Sequence, residues 1–425
     1  MILDGLGDRP HPDTNGESPI VAAKTPHLDR WAAEGAVGQV MLVGPGIAPE
    51  SDAGVMALLG YDPARDSPGR GVLEALGVDI PLAAGDVALR SNFSTVSGEG
   101  TILDSRVGRS LSTGEAADLS RSINEADLLA DLHVHAELRP TVGHRGVLWL
   151  HPTDGMPLSA EVSNSDPFYE RTGGMGHARV VTEPVPLSIE PLSSDPSAVR
   201  TAVALNEWLH EVPPLLAGHR VNARRAMRGS KIANAVLLRN AGALPAIPPV
   251  SFATKHGILG AAVTEMPVER GIAKLLGLAD IYVGPMGADR TAALSERARV
   301  ARQALREYPF VYIHLKGPDE PGHDGDARKK REIVEDIDRS FFGPFIEGLD
   351  LRTTRVAVTA DHATPAILKR HSDDPVPLLL VGVGVAKTGG TPKFGHVPPD
   401  SVLGTIRGNE VLGRLWAGVP ASPPI

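Results

Sequence analysis

Short apolar runs bounded by turn residues recur along the C-terminal half of the chain. Phe310-Val311-Tyr312-Ile313-His314-Leu315 reads as a buried strand. Ala233 to Leu238, Ile258 to Val263, Arg355 to Ala360 and Val376 to Val381 read the same way. Helical patterns stand between them. One runs from Glu269 to Leu276 and stops at Gly277, and another places Ile333, Ile337, Phe341 and Phe345 on one apolar face. Strands alternating with helices predict a doubly wound α/β sheet. At the N-terminus, Met1-Ile2-Leu3 reads as the end of a strand. Thr25 to Trp31 reads as a capped helix with Pro26 at its first position, and Ser51 as the N-cap of a helix through Val55, Met56, Leu58 and Leu59.

The middle of the chain is patterned differently. Asp86 to Thr95 alternates as a strand, with Arg90 in it. A helix runs from Ser112 to about Leu129, and a strand-rich section follows. Residues 151–196 are loop-like, and Pro196 to Leu216 is helical. A chain of 425 residues is too long for one ordinary core. The expected organisation is therefore one α/β domain from residues 1–80 and 233–425, with a smaller α+β domain, 85–230, inserted into it.

Three predicted strand ends each deliver an aspartate. Asp4 follows Leu3. Asp361-His362 follows Ala360, with His371 a little further on. The loop from Lys316 to Asp326 carries Asp319 and His323, and its prolines and glycines predict that no helix forms inside it. Ligands of open α/β sheets bind at the carboxyl ends of the strands. A lone Asp-x-x-x-His reads as a solvated turn. Three such ends together read as a two-metal site. The chain has no cysteine, so the ligands must be carboxylate, imidazole and hydroxyl groups. Ser51 then has two readings. It caps its helix, or it uses the anion-favouring helix N-terminus beside a metal as a nucleophile.

Charge and hydropathy narrow the partners. A net charge of -9 argues against nucleic acid, which needs a basic face. No apolar stretch reaches membrane-spanning length and no signal peptide opens the chain, so a cytoplasmic protein is expected. Arg220, Arg224, Arg225, Arg228 and Lys231 read mostly as a solvated basic turn, with one or two available to an anionic substrate.

Taken together, Asp4-Gly5-Leu6-Gly7-Asp8-Arg9-Pro10, Ser51-Asp52, Leu59-Gly60-Tyr61-Asp62-Pro63 and Gly85-Asp86-Val87-Ala88-Leu89-Arg90-Ser91-Asn92-Phe93 resemble a cofactor-independent phosphoglycerate mutase of the archaeal type. Asp319-x-x-x-His323, Thr359-Ala360-Asp361-His362-Ala363-Thr364-Pro365 and His371-Ser372 continue the likeness over nearly the whole chain. The resemblance implies an alkaline-phosphatase-like fold. It implies two divalent ions, and mixed carboxylate, imidazole and hydroxyl ligands without thiolate suit Mn²⁺, with Zn²⁺ or Mg²⁺ as alternatives. Asp319, His323 and His371 would hold one ion, and Asp4, Ser51, Asp361 and His362 the other. Ser51 would carry the phosphoryl group, Lys255 would steady it, and Arg106 and Arg109 would face the substrate from the inserted domain. Glu50 and His396 depart from the family pattern. The implied reaction interconverts 3-phosphoglycerate and 2-phosphoglycerate. Alternatives are a phosphomonoesterase or phosphotransferase acting on another small phosphate, and a metal-binding paralogue without chemistry.

Overall fold

The computed structural model describes residues 1–172, 175–178, 181–388, 393–399 and 401–417. The chain divides into two compact units, Met1–Ser67 with Pro249–Ile425, and Pro68–Pro248.

The first unit is built on a sheet whose inner strands are buried on both faces. Ile2–Leu3 pairs in parallel with Phe310–Leu315, which pairs with Gly260–Thr264, which pairs with Ala279–Tyr282. On its other side Ile2 bridges in parallel to Thr359, just past the strand Arg355–Val358. That strand continues the order to Val376–Gly382, Ala36–Met41 and Thr405–Arg407. Among these strands only Val376–Gly382 runs against the rest. Residues 359–375, between it and Arg355–Val358, contain no helix to carry the chain back across the sheet. The neighbour therefore returns antiparallel.

The helical segment after the Phe310–Leu315 strand shows how a pattern bends its element. Side chains four residues apart drift by about 40° per step on a helix of about 3.6 residues per turn. Here the α-helix Ala327–Ile337 opens into a π-turn, Asp338–Phe342, before Gly343–Ile346. The wider turn takes up part of the drift, and Ile333, Ile337, Phe341 and Phe345 all stay buried.

A second departure lies in the preceding loop, where Asp319–Asp324 forms a short helix instead of irregular chain. Pro321 stands in its first turn, where a missing N–H costs nothing, and Gly325 ends it in the left-handed region at φ 80°.

Lys330 ties these loops together from below. It is fully buried, 2.8 Å from Asp8 Oδ2, and donates to the carbonyls of Gly5, Gly7 and Thr364 at 2.8, 3.2 and 2.8 Å. Lys330→Met should strand the Asp8 charge and three carbonyls, a loss on the order of 3–5 kcal/mol. Denaturant unfolding measures it, and a loss under about 1 kcal/mol, the scale of an exposed pair, would refute the role.

The second unit is an antiparallel sheet with helices. Val87–Val96 is its central strand, flanked by Arg145–Pro152 and Ala235–Gly242. Val134–Pro140 and Ile102–Asp104 complete it. Helices Thr113–Glu125 and Pro196–Ala217 bury Leu119, Ile123, Leu205 and Trp208 with Val87, Leu89 and Phe93. Helix Arg70–Gly77 packs Val72 and Ala75 against Ala88 and Val147. The helix Arg70–Gly77 and the strand Ala235–Gly242 thus belong to this unit, not to the first as the sequence pattern suggested. Their hydrogen-bonding and packing partners are the strand Val87–Val96, and hydrophobic periodicity does not reveal which sheet an element joins. No helix among the described residues is long and apolar enough to cross a membrane.

Candidate metal centre and nucleophile

In the first unit seven expected side chains converge beyond the carboxyl ends of the central strands. Asp4 follows Ile2–Leu3, Asp319 and His323 lie on the short helix after Phe310–Leu315, and Asp361-His362 follows Arg355–Val358. His371 comes from the return loop, and Ser51 from the start of helix Ser51–Leu58. Two glycines permit the approach. A Cβ on Gly54 would stand 1.8 Å from the Asp361 carbonyl oxygen. One on Gly5, at φ +60°, would stand 2.7 Å from the Asp319 Cβ.

The first group is Asp319, His323 and His371. His371 Nδ1 lies 2.9 Å from the Pro49 carbonyl and His323 Nδ1 lies 3.3 Å from the Lys369 carbonyl. A carbonyl only accepts, so each Nδ1 carries a proton, and the neutral ring presents its Nε2 lone pair. The two Nε2 atoms are 3.2 Å apart, and they lie 3.4 and 3.5 Å from Asp319 Oδ1. With both imidazoles neutral, the form that binds a metal, three acceptors face one another. Ligand atoms about 2.0–2.2 Å from a tetrahedral metal stand roughly 3.3–3.6 Å apart, so the triangle fits a divalent ion. Burial and Asp4 push the Asp319 carboxyl up, yet His371 and His362 outweigh them and hold it well below the usual carboxylate range.

The second group surrounds Ser51. The Thr364 hydroxyl donates to Asp319 Oδ1 at 2.7 Å, so its oxygen accepts from His362 Nδ1 at 3.0 Å. In the neutral ring His362 Nε2 is thereby left as an acceptor, 3.3 Å from Ser51 Oγ, 3.5 Å from Asp4 Oδ1 and 3.6 Å from Asp361 Oδ2. Asp4, Asp361 and His314 also form a compact group of buried ligand atoms. Asp361 Oδ2 and His314 Nε2 lie 3.4 Å apart, and neither makes a hydrogen bond. Buried polar atoms left this way cost about 1–3 kcal/mol each, which a bound cation would offset. Burial and Lys316 lower the His314 imidazole, but Glu269 and Asp361 outweigh them and push it up to about 9. Without a cation, the acids of this pocket are balanced by protons on its imidazoles.

Ser51 is not the N-cap. Glu50 is, with extended backbone, and its carbonyl accepts from Gly54 N–H. Ser51 is the first helical residue, buried, and its hydroxyl faces His362 instead of a backbone N–H.

Lys255 stands apart from the seven. It is exposed at the end of helix Phe252–His256, with its ammonium 4.9 Å above the Tyr61 ring. It makes no hydrogen bond or ion pair with the seven among the described residues.

In the second unit, Arg106 and Arg109 flank a turn in which Val107, Gly108 and Arg109 all have positive φ, at 51°, 61° and 53°. A β-branched residue there is a genuine outlier, and the burial of Val107 holds the turn in place. The cations concentrate nearby. Burial, then Arg145, Arg106, Arg90 and Arg109, push the His144 imidazole down to about 3. Arg90 and Arg239 are directly opposed across two strands, and burial followed by Arg70 lowers Arg90 to about 9. Of the basic run after Arg220, Arg225 is buried and structural, 2.8 Å from Glu115 and donating to the Ser110 hydroxyl at 2.7 Å. Arg145 and Arg239 went unnoticed in the sequence because they sit inside strands, where a charged residue reads as an outward-facing position.

Fold and site together define an α/β protein with groups suited to divalent metal beside a buried serine. The chain belongs to the 2,3-bisphosphoglycerate-independent phosphoglycerate mutases. Residues 32–222 match the family of that description. The chain is 44% identical over 383 residues to the mutase of Aeropyrum pernix, covering 89% of each protein. It is 39% identical to that of Methanopyrus kandleri, covering 89% of this chain and 86% of the relative. Among solved structures, the cofactor-independent phosphoglycerate mutase of Thermoplasma acidophilum superposes with a TM-score of 0.61 at 31% identity, covering 97% of each chain. The PH0037 protein of Pyrococcus horikoshii reaches 0.78 at 27%, covering 100% of this chain and 97% of that one.

Proposed function

We propose that this protein interconverts 3-phosphoglycerate and 2-phosphoglycerate through a phosphoserine on Ser51. The observation that carries the reading is the convergence of Asp4, Ser51, Asp361 and His362 beside Asp319, His323 and His371, with acceptor atoms facing acceptor atoms. Two divalent ions, Mn²⁺ foremost, suit these mixed oxygen and nitrogen donors. When bound, they would neutralise charge on the phosphoryl oxygens and lower the pKa of the Ser51 hydroxyl.

The chain's own groups do the rest. Ser51 Oγ loses its proton and bonds to phosphorus as the bond from phosphorus to the glycerate oxygen breaks, and that oxygen takes up a proton to become a hydroxyl. The helix N-terminus at Ser51 favours the anionic group placed there. The other glycerate hydroxyl then loses its proton as its oxygen bonds to phosphorus, the Ser51 Oγ bond to phosphorus breaks, and Ser51 regains a proton. Arg106 and Arg109 hold the glycerate carboxylate through this exchange. Their strained turn and the density of positive charge around His144 support that role.

Phosphorus NMR of the protein with Mn²⁺ and 3-phosphoglycerate tests the reading. 2-Phosphoglycerate should appear without inorganic phosphate. Inorganic phosphate alone would make the protein a phosphomonoesterase. Replacing Arg106 or Arg109 with Ala should slow the mutase and release inorganic phosphate, as glycerate escapes and water meets the phosphoserine. On surface arginines the same changes would matter by only about 0–1 kcal/mol, with no phosphate released.

A further inference from the structure

Beneath the Asp4 group lies an ion pair that the proposed chemistry does not use. Lys316 follows the Phe310–Leu315 strand. Its backbone N–H donates to Glu265 Oε1 at 2.8 Å, and Glu265 is itself held by Arg297 at 2.9 Å, so the lysine starts from a fixed point. Its ammonium lies 2.6 Å from Glu269 Oε1 and 3.2 Å from Asp4 Oδ1. Glu269 stands in the first turn of the helix Pro267–Leu275 and is wholly buried. Neither of its oxygens makes a hydrogen bond of good geometry, and His314 Nδ1 is 3.6 Å away. The His314 Nδ1 is already paired with the Tyr312 hydroxyl at 2.7 Å, so it does not satisfy Glu269.

Charge explains why such a pair is built here. Asp4, Asp361 and Glu269 supply three buried carboxylates, and Lys316 supplies one ammonium. Were Glu269 neutral, the ammonium would have Asp4 as its one carboxylate partner. Asp4 Oδ1 is an atom that the ion needs. The lysine would then compete with the metal for it, at a separation where unit charges interact strongly.

We propose that Glu269 is a positioning residue that draws the Lys316 ammonium away from Asp4 and so keeps Asp4 open to a divalent cation. The inference rests on the metal reading given under the proposed function. The bland alternative is that Glu269 only neutralises a buried lysine and has no bearing on metal affinity.

The two ideas differ over the single variant Glu269→Gln, and the double variant shows whether the Lys316 ammonium is the competitor. Titration calorimetry with Mn²⁺ on the full, metal-stripped chain provides the readout, with thermal unfolding reporting that each variant is folded. Glu269→Gln should weaken Mn²⁺ binding by about tenfold or more. Glu269→Gln with Lys316→Met should recover binding to within about threefold of wild type, because the competing ammonium is gone. A double variant that binds as weakly as the single one overturns the proposal, as does a Glu269→Gln protein that binds like wild type. Should Glu269→Gln alone fail to fold, Lys316→Met carries the test. It should bind Mn²⁺ at least as tightly as wild type, and weaker binding overturns the idea. Wild-type protein that binds no Mn²⁺ would overturn the metal reading itself, an outcome separate from the others.

Discussion

Ser51→Ala should abolish the phosphoenzyme and lower turnover by a factor of at least about 10³, while leaving the fold nearly as stable as before. The two halves of that expectation come from one structural fact. An N-cap serine replaced by alanine costs about 0.5–2 kcal/mol because a backbone N–H loses its acceptor. Ser51 does not carry that duty, since Glu50 occupies the cap position and the Ser51 hydroxyl faces His362 Nε2 at 3.3 Å. Its removal costs one long hydrogen bond in a place where the other polar atoms already face a shortage of donors. The loss in stability should be at most about 1.5 kcal/mol. Mass spectrometry of acid-quenched protein after mixing with 3-phosphoglycerate reads the phosphoenzyme directly. Denaturant unfolding reads the stability. Wild-type turnover in the alanine variant would remove Ser51 from the mechanism. A large loss of stability together with lost activity would show the serine to be structural.

Much of this site was legible because its residues follow apolar runs that announce themselves. Asp4, Asp319 and Asp361 each stand just beyond a strand, and the topology of an α/β sheet brings such positions to one edge. His314 was harder. It lies inside the run Phe310–Leu315 and reads as part of a buried strand, which it is. A histidine within an otherwise apolar strand was the available signal. Glu269 carried less. On a helix whose apolar face includes Val268 and Ile272, an acid normally reads as solvent-facing, and only the strand beside it shows where it points. The boundary of the second unit failed for a related reason. The strand Ala235–Gly242 looks like any other buried strand until its partner, Val87–Val96, is known. The antiparallel strand Val376–Gly382 was hidden too, because direction depends on whether the connection contains a helix, and the intervening residues are spent on the site.

Protein stripped of metal by a chelator should lose its activity, and Mn²⁺ should restore both activity and stability. The stability half follows from the acceptors that face one another. His323 Nε2, His371 Nε2 and Asp319 Oδ1 crowd within 3.2 to 3.5 Å, and Asp361 Oδ2 is buried without a hydrogen bond. Without a cation the folded chain must hold these groups together by taking up protons or bearing their repulsion, and the unfolded chain need do neither. A cation that binds the folded form and not the unfolded one stabilises it by about 2.7 kcal/mol at a hundred times its dissociation constant. For a domain of this size that is a rise in melting temperature of roughly 5–10 °C. The ranking of ions is also fixed by the donors. Imidazole suits Mn²⁺ and Zn²⁺ better than Mg²⁺, which favours all-oxygen surroundings, so Mg²⁺ should give the smallest shift at equal concentration. Full turnover in a sample shown by elemental analysis to be free of metal would remove the ions from the mechanism. Activity restored by Mn²⁺ without any rise in melting temperature would mean that the ion binds elsewhere, since occupation of these two clusters must relieve the repulsion that folding imposes on them.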